Sequence, residues 1–187
     1  MKDIIASTLL ILILTASLGV VYPIVVWGIA QAVFPFRSNG SLIEHEGRIV
    51  GSELIGQGFL SERYFHSRPS AAGSGYDASA SGGSNLGPTN SKLISRIQTD
   101  VEELTGNDPT VRVPADLLTT SPSGLDPHIS PAAAEFQIPR VARARGINES
   151  ELRRIVAEST EAREVLILGE PRVNVLRLNL QLDRISR

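Results

Sequence analysis

The chain contains no cysteine, which excludes a disulfide framework and any thiolate-ligated metal. Lysine is confined to Lys2 and Lys92, so arginine carries nearly all of the positive charge. The formal net charge is −2. That balance leaves no basic footprint for nucleic acid and no polybasic patch for anionic lipid. Three catalytic signatures are missing: the Gly-rich P-loop ending in Lys and Ser/Thr, the Asp-Lys-Thr-Gly of ATPases that phosphorylate an aspartate, and the Gly-x-Ser-x-Gly nucleophile elbow. The chain therefore has no visible means of hydrolysing ATP by itself.

Charge is also absent from residues 4–36. A helix over that run is about 50 Å long against a hydrocarbon core of roughly 30 Å, so only part of it needs to span a bilayer. The most apolar stretch is 4–26, with Tyr22 and Trp27 at an interface depth where amphipathic rings settle. Pro23 is expected to kink the helix there. A cleaved signal peptide is the competing reading, and Ala30-Gln31-Ala32 resembles a cleavage site. The apolar run, however, is far longer than a signal core, and its basic leader is a single lysine. The expectation is a retained anchor over residues 1–36, with a single transmembrane helix at about 5–27, and a soluble domain over 37–187. Lys2 before the helix and Arg37 after it do not orient it by the positive-inside rule. Thr15 and Gly19, and likewise Gly28 and Ala32, stand four apart and would let a second helix approach closely.

Beyond the anchor, residues 38–47 read as a polar linker and 48–55 as a short strand. Residues 67–90 are dense in Gly, Ser, Ala, Pro and Asn, a length of loop that inside a domain is disordered or functional. Leu93, Ile94, Ile97, Val101 and Leu104 recur at helical spacing, and Gly106 stops that helix. Residues 111–113 suit a short strand, and 114–131 form a second Pro/Ser/Gly-rich loop. Ser130-Pro131 starts a helix that Pro139 is expected to divide and Gly146 to end. Asn148 and Glu151 open another, with Leu152, Ile155 and Val156 on one face. Leu176, Leu178, Leu180 and Leu182 alternate with polar residues, the clearest period-two signal in the chain, and read as a half-buried strand. The fold class is α/β (α+β): one transmembrane helix, then a compact domain with a small sheet and three or four helices.

Few residues point to chemistry. His45, His66 and His128 lie far apart and none has metal-ligand spacing. Ser121, Ser123, Asp126 and His128 contain the residue types of a hydrolase, but as a polar loop they more readily fix a turn and cap a helix. Residues 81–87, leading into a helix, offer backbone amides to an anion or a loop that docks on a partner. That loop includes Ser84 and Asn85, and Arg68 and Tyr76 beside it are side chains of the kind that anchor interfaces. Arg140, Arg143 and Arg145 read as a solvated or ion-paired face.

Several longer motifs then carry a resemblance. Tyr64-Phe65-His66-Ser67-Arg68-Pro69-Ser70-Ala71-Ala72 is followed by Tyr76-Asp77-Ala78-Ser79-Ala80-Ser81-Gly82-Gly83-Ser84-Asn85-Leu86-Gly87-Pro88-Thr89-Asn90. Ser123-Gly124-Leu125-Asp126-Pro127-His128-Ile129-Ser130-Pro131, Arg140-Val141-Ala142-Arg143-Ala144-Arg145-Gly146 and residues 168–179 continue in order, and Val21-Tyr22-Pro23 sits in the apolar run. Together they resemble the C subunit of the bacterial Kdp-type potassium-transporting ATPase across essentially the whole chain.

The resemblance implies an ATP-driven, high-affinity potassium importer in the bacterial cell (inner) membrane. A channel-like subunit carries the ion, a P-type ATPase subunit does the phosphorylation chemistry, and a small peptide subunit also belongs. The C subunit is implied to be a single-pass accessory without catalysis of its own, needed for assembly and activity, with its domain on the periplasmic side. It is also implied to act as a catalytic chaperone that raises ATP affinity, with Gln57 at the position concerned. No tightly bound cofactor is implied; ATP acts at the level of the complex, and potassium is cargo. The expected contacts are Thr15 and Gly19 on the anchor and Arg68, Tyr76, Ser84 and Asn85 on the domain. A free-standing anchored binding protein is the alternative.

Overall fold

The computed structural model describes residues 1–106, 108–165 and 167–185. These form two compact units, Met1–Val50 and Gly51–Arg187.

In the first unit, α1 (Lys2–Ala16), a π-helical turn (Ser17–Val21) and α2 (Tyr22–Val33) run on as one helix. Its 32 residues, Lys2–Val33, are long and apolar enough to cross a membrane. The π-turn has a local cause. Pro23 lacks an N–H, and its ring would press on the carbonyl four residues back, at Gly19. Widening the turn, with the Tyr22 amide bonded to the Ser17 carbonyl, carries the helix past the proline. A short helix α3 (Pro35–Ser38) follows, then strands β1 (Leu42–His45) and β2 (Arg48–Ser52), which pair with each other. Their two-residue connection, Glu46-Gly47, has φ of +51° and +74°, the left-handed pair that closes a tight hairpin. The segment expected as a linker thus holds a strand, and the strand expected over 48–55 ends at Ser52.

The second unit holds helices α4 (Ser91–Thr105), α5 (Pro131–Arg145), α6 (Glu149–Glu158) and α7 (Val175–Ile185). Strands β3 (His128–Ile129), β4 (Thr160–Glu161) and β5 (Arg172–Asn174) form an antiparallel sheet ordered β3-β5-β4. Val173 sits between Ile129 and Thr160 in that register. The helix boundaries have local causes. Asn90 and Ser130 accept from the Lys92 and Ala133 amides at 2.9 and 3.0 Å, and Gly106 and Gly146 end their helices with φ of +60° and +70°. α5 and α6 pack on each other, while α5 and α7 pack on β5. Phe65, Ile138, Leu152, Val173, Leu178 and Leu182 are buried together in the core. Fully burying each such side chain contributes about 1.5–3 kcal/mol.

Three sequence expectations fail. Pro139 does not divide its helix: α5 is continuous, with the proline inside it. Pro139 lies on the exposed side, so the carbonyl it cannot serve faces water, while buried Ile138, Val141 and Ala142 hold the turn in place. Residues 111–113 pair with no strand among the described residues. The largest reversal is at residues 176–182, a helix and not a half-buried strand. Its buried residues are Val175, Leu178, Asn179 and Leu182, at i, i+3, i+4 and i+7, together with Leu176. The alternating leucines mislead because one position of the buried face is an asparagine.

That asparagine has a task. The Phe65 amide donates to Asn179 Oδ1 at 2.8 Å, and Asn179 Nδ2 donates to the Phe65 carbonyl at 2.9 Å. At the next residue, the His66 amide donates to Gln137 Oε1 at 2.7 Å, and Gln137 Nε2 donates to the His66 carbonyl at 3.1 Å. Two buried carboxamides thus satisfy the backbone of residues 65–66. Asn179→Ala leaves a buried N–H and C=O unpaired, each costing about 1–3 kcal/mol. We expect the variant to lose about 2–4 kcal/mol in urea unfolding; a loss under 1 kcal/mol would show that the clamp is dispensable.

Candidate functional site

The two long loops of the second unit are ordered against each other. Ser70 Oγ donates to the Gly124 carbonyl at 2.6 Å and accepts from the Tyr76 amide at 2.8 Å. The Gly82 amide donates to the Ser123 carbonyl at 2.8 Å, and Ser81 Oγ donates to the same carbonyl at 3.1 Å. Thr120 Oγ1 reaches Ser84 Oγ at 3.5 Å. At the centre is Gly124, with φ +67°. A Cβ there would lie 2.6 Å from the Gly82 carbonyl oxygen and 2.7 Å from the Ala72 amide nitrogen. Only glycine lets these strands of chain approach so closely.

The expected interface residues divide into two kinds. Arg68 and Tyr76 turn inward. Arg68 pairs with Asp126 at 3.3 Å and donates to the Thr119 carbonyl and hydroxyl. Tyr76 donates its hydroxyl to the Arg68 carbonyl, and burial pushes its pKa up. Ser84 is half-buried, whereas Asn85 is exposed and held at φ +51°. Thr15 and Gly19 lie on the apolar helix; no atom outside its own helical backbone would come within 4 Å of a Cβ on Gly19. Gln57 packs elsewhere. A Cβ on Gly51 would collide with the Gln57 amide and with Leu176, so Gly51 makes the room that Gln57 occupies. Gln57 lines neither of the two clefts described next.

The first cleft, of about 570 Å³, is lined by Arg68, Asp116, Asp126, His128, Ser130 and Arg172 among others. Asp126 Oδ1 accepts from the His128 amide at 3.0 Å and lies 3.4 Å from His128 Nδ1. Asp116 accepts from the Ser130 amide and hydroxyl. Burial raises the Asp126 pKa, but His128 hydrogen bonds and the His128 and Arg68 charges outweigh it, so the carboxyl titrates below its ordinary value. The hydrolase reading lacks its first contact. Ser121 and Ser123 face each other at 3.4 Å, Ser123 Oγ accepts from the Leu125 amide, and no serine hydroxyl bonds the His128 ring among the described residues.

The second cleft, of about 840 Å³, runs beside α4 and α5 and is lined by Phe59, Leu104, Leu117, Phe136, Gln137 and Arg143 among others. Of the three arginines read as a solvated or ion-paired face, two are ion-paired and also hold backbone carbonyls. Arg140 donates to the Glu62 and Tyr64 carbonyls at 2.9 and 3.0 Å. The Arg145 side chain is 1% exposed, pairs with Asp183 at 2.9 Å and lies 4.9 Å over the Tyr64 ring. Arg143 alone is exposed. Sequence reasoning missed Gln137 and Asn179; their only signal was a carboxamide on an otherwise apolar helix face. Among the described residues, no three His, Asp or Glu side chains gather as metal ligands.

A family profile described as "KdpC: K+-transporting ATPase, c chain" matches residues 4–184. A "Potassium-transporting ATPase KdpC subunit" from Koribacter versatilis (strain Ellin345) is 55% identical over 182 residues, covering 97% of this chain and 94% of that protein. A protein of the same description from Rhodopseudomonas palustris (strain BisB18) is 49% identical over 195 residues, covering 98% of each. A third, from Caulobacter vibrioides (strain NA1000 / CB15N), is 55% identical over 170 residues, covering 90% and 86%.

Two outcomes test the loop assembly. Gly124→Ala, strained and overlapping backbone, is expected to destabilise the second unit by about 2 kcal/mol or more, read by thermal unfolding. The lowered Asp126 pKa sets the sign of a pH effect. Its contribution is fully present above the ordinary carboxylate pKa, about 3.9, and is lost as pH falls through the lower folded value. Asp126→Asn should therefore reduce stability at pH 7 and flatten its fall below about pH 4, measured by urea titration at each pH.

Proposed function

The chain belongs to the KdpC family, the c chain of K+-transporting ATPases, and from that premise we propose that it is the pump's non-catalytic accessory subunit. It is a subunit of a potassium-transporting ATPase complex. In the proposed arrangement, residues 1–36 anchor it in the bacterial cell membrane and residues 37–187 form an extracytoplasmic domain. The anchor packs by its Thr15/Gly19 side against the channel-like subunit, and the domain covers that subunit's outer mouth. Potassium is cargo. ATP is bound and split by the P-type ATPase subunit, and a small peptide subunit completes the complex.

One observation carries this reading: the loops over 67–90 and 114–130 lock each other into a preformed surface that keeps Asn85 outward. A surface already ordered loses little freedom on docking. Arg68 and Tyr76 then act by holding its shape from beneath, with Ser84 and Asn85 nearer the partner.

The deciding experiment is affinity purification of the C-terminally tagged chain from its native membrane in mild detergent. Co-elution of a P-type ATPase and a channel-like subunit, with potassium-stimulated ATPase activity, is expected. Recovery of a stable, inactive monomer would overturn the proposed contacts with those subunits. Gly19→Leu is expected to lower the yield of assembled pump several-fold by steric exclusion. For the proposed rise in ATP affinity, Gln57→Ala in the assembled pump should raise the KM for ATP with kcat held. An unchanged KM would leave Gln57 a packing residue.

A further inference from the structure

Residues 61–66 are fastened to α5 through a single network. The Arg140 guanidinium donates to the Glu62 and Tyr64 carbonyls and, at 2.7 Å, to Gln137 Oε1. Gln137 in turn bonds both backbone groups of His66. The half-buried His66 ring closes the segment on itself. Its Nε2 lies 3.2 Å from the Ser61 carbonyl, which also accepts from the Tyr64 amide at 3.0 Å. A carbonyl oxygen can only accept, so Nε2 carries the proton and Nδ1 is the bare nitrogen of the neutral ring. An acid proton therefore adds at Nδ1, where no acceptor stands among the described residues. His128 differs: Asp126 Oδ1 lies 3.4 Å from its Nδ1.

The charges around the His66 ring disfavour a second proton. Arg140 from α5 and Glu62 from the segment itself act on it. The Glu62 side chain is 66% exposed and is turned toward Arg140, at 3.5 Å. In the same cleft, Arg96, Asp100 and Glu103 stand on α4 and Arg143 on α5, beside the Tyr76 hydroxyl. Arg96 and Asp100 pair with each other at 2.7 Å. Burial and the Arg140 charge outweigh the Ser61 carbonyl and Glu62, and hold the imidazole below its ordinary pKa.

We propose that His66 is an acid-sensitive latch: a proton on Nδ1 unfastens residues 61–66 from α5. Three acceptors hold Arg140 beside the ring, so relieving the repulsion costs hydrogen bonds. Either the ring turns into the 840 Å³ cleft that it lines and gives up Ser61, or Arg140 withdraws and frees the Glu62 and Tyr64 carbonyls. Both routes loosen the segment that leads into Arg68 and Ser70, and with it the start of the long loop. In the loosened state the ring meets water and titrates near its ordinary pKa, about 6.5. In the fastened state it titrates lower. The fastened state therefore keeps its full advantage above about pH 6.5 and loses it as pH falls from there through the lower value. The latch needs no partner subunit and goes beyond the accessory role.

The test uses the full chain purified in detergent. NMR of the imidazole rings follows its three histidines, and the signal missing from His66→Gln is assigned to His66. That ring is expected to titrate below about 6.5, with the proton of the neutral form on Nε2. Titration at or above that value, or a neutral form protonated on Nδ1, overturns the latch. Hydrogen exchange then reads the segment. Relative to intrinsic rates, protection of the Tyr64, Phe65 and His66 amides should fall about three-fold or more between about pH 7.5 and pH 5. The Leu152 amide, bonded to the Asn148 carbonyl in α6, should keep its protection. In His66→Gln, which has no titrating ring, the three amides should stay protected throughout. His66→Lys carries a fixed charge and should show the low protection at both pH values. An equal fall in the native chain and His66→Gln overturns the latch, as does an equal fall at Leu152 or full protection in His66→Lys at about pH 7.5. Should either variant fail to fold, the ring titration of the native chain decides.

Discussion

The second unit depends on a pair of carboxamides. Residues 65 and 66 lie in no sheet, yet Phe65 is fully buried in the core. Burying a strap of backbone without a ladder would strand its N–H and C=O groups. Asn179 from α7 and Gln137 from α5 supply the missing partners, each bonding both groups of one residue. Arg140 and Arg145 extend the same solution to the carbonyls of residues 62–64. The strap is thus fixed to two helices that are far apart in sequence. Because it leads directly into Arg68 and Ser70, its position sets where the long loop begins.

From that fixed start, the Gly/Ser-rich segment needs little apolar material to stay ordered. Its partners are mostly backbone groups of the second loop, reached through Ser70, Gly82 and Gly124. Small residues allow close approach, and hydrogen bonds then use the contact. The composition that usually accompanies flexibility here accompanies two loops hydrogen-bonded to each other. A protein that must present a fixed shape, and that carries little chemistry on that shape, is well served by such a construction.

The parts of the fold legible in the sequence were those written by local rules. Ser130, Asn148, Gly106 and Gly146 marked helix ends because capping acts within one turn. α7 was illegible because Asn179 interrupts its apolar face for a partner 114 residues away, which no local pattern records. Pro139 misled for a related reason: whether a proline breaks a helix depends on whether the orphaned carbonyl faces water. At the candidate site, the segment and its interest were readable, but the roles of Arg68 and Tyr76 were not. Both types suit interfaces, and only Asp126, Thr119 and the Arg68 carbonyl reveal that they face inward.

An effect on ATP affinity and a domain outside the cytoplasm are compatible only under a definite condition. The ATP site and the domain would then lie on opposite sides of a bilayer, so no side chain of the domain touches nucleotide. Coupling would require two states of the whole pump that the domain binds with different affinity, and the factor by which it favours nucleotide would equal the factor by which nucleotide favours it. A rigid body suits that task better than a flexible one. A docked surface that deforms follows its partner through both states and distinguishes neither, whereas one held by buried carboxamides and interlocked loops fits one state and strains against the other. The bonds that tie residues 65–90 to α5, α7 and the second loop are what would let this chain bias a partner at a distance.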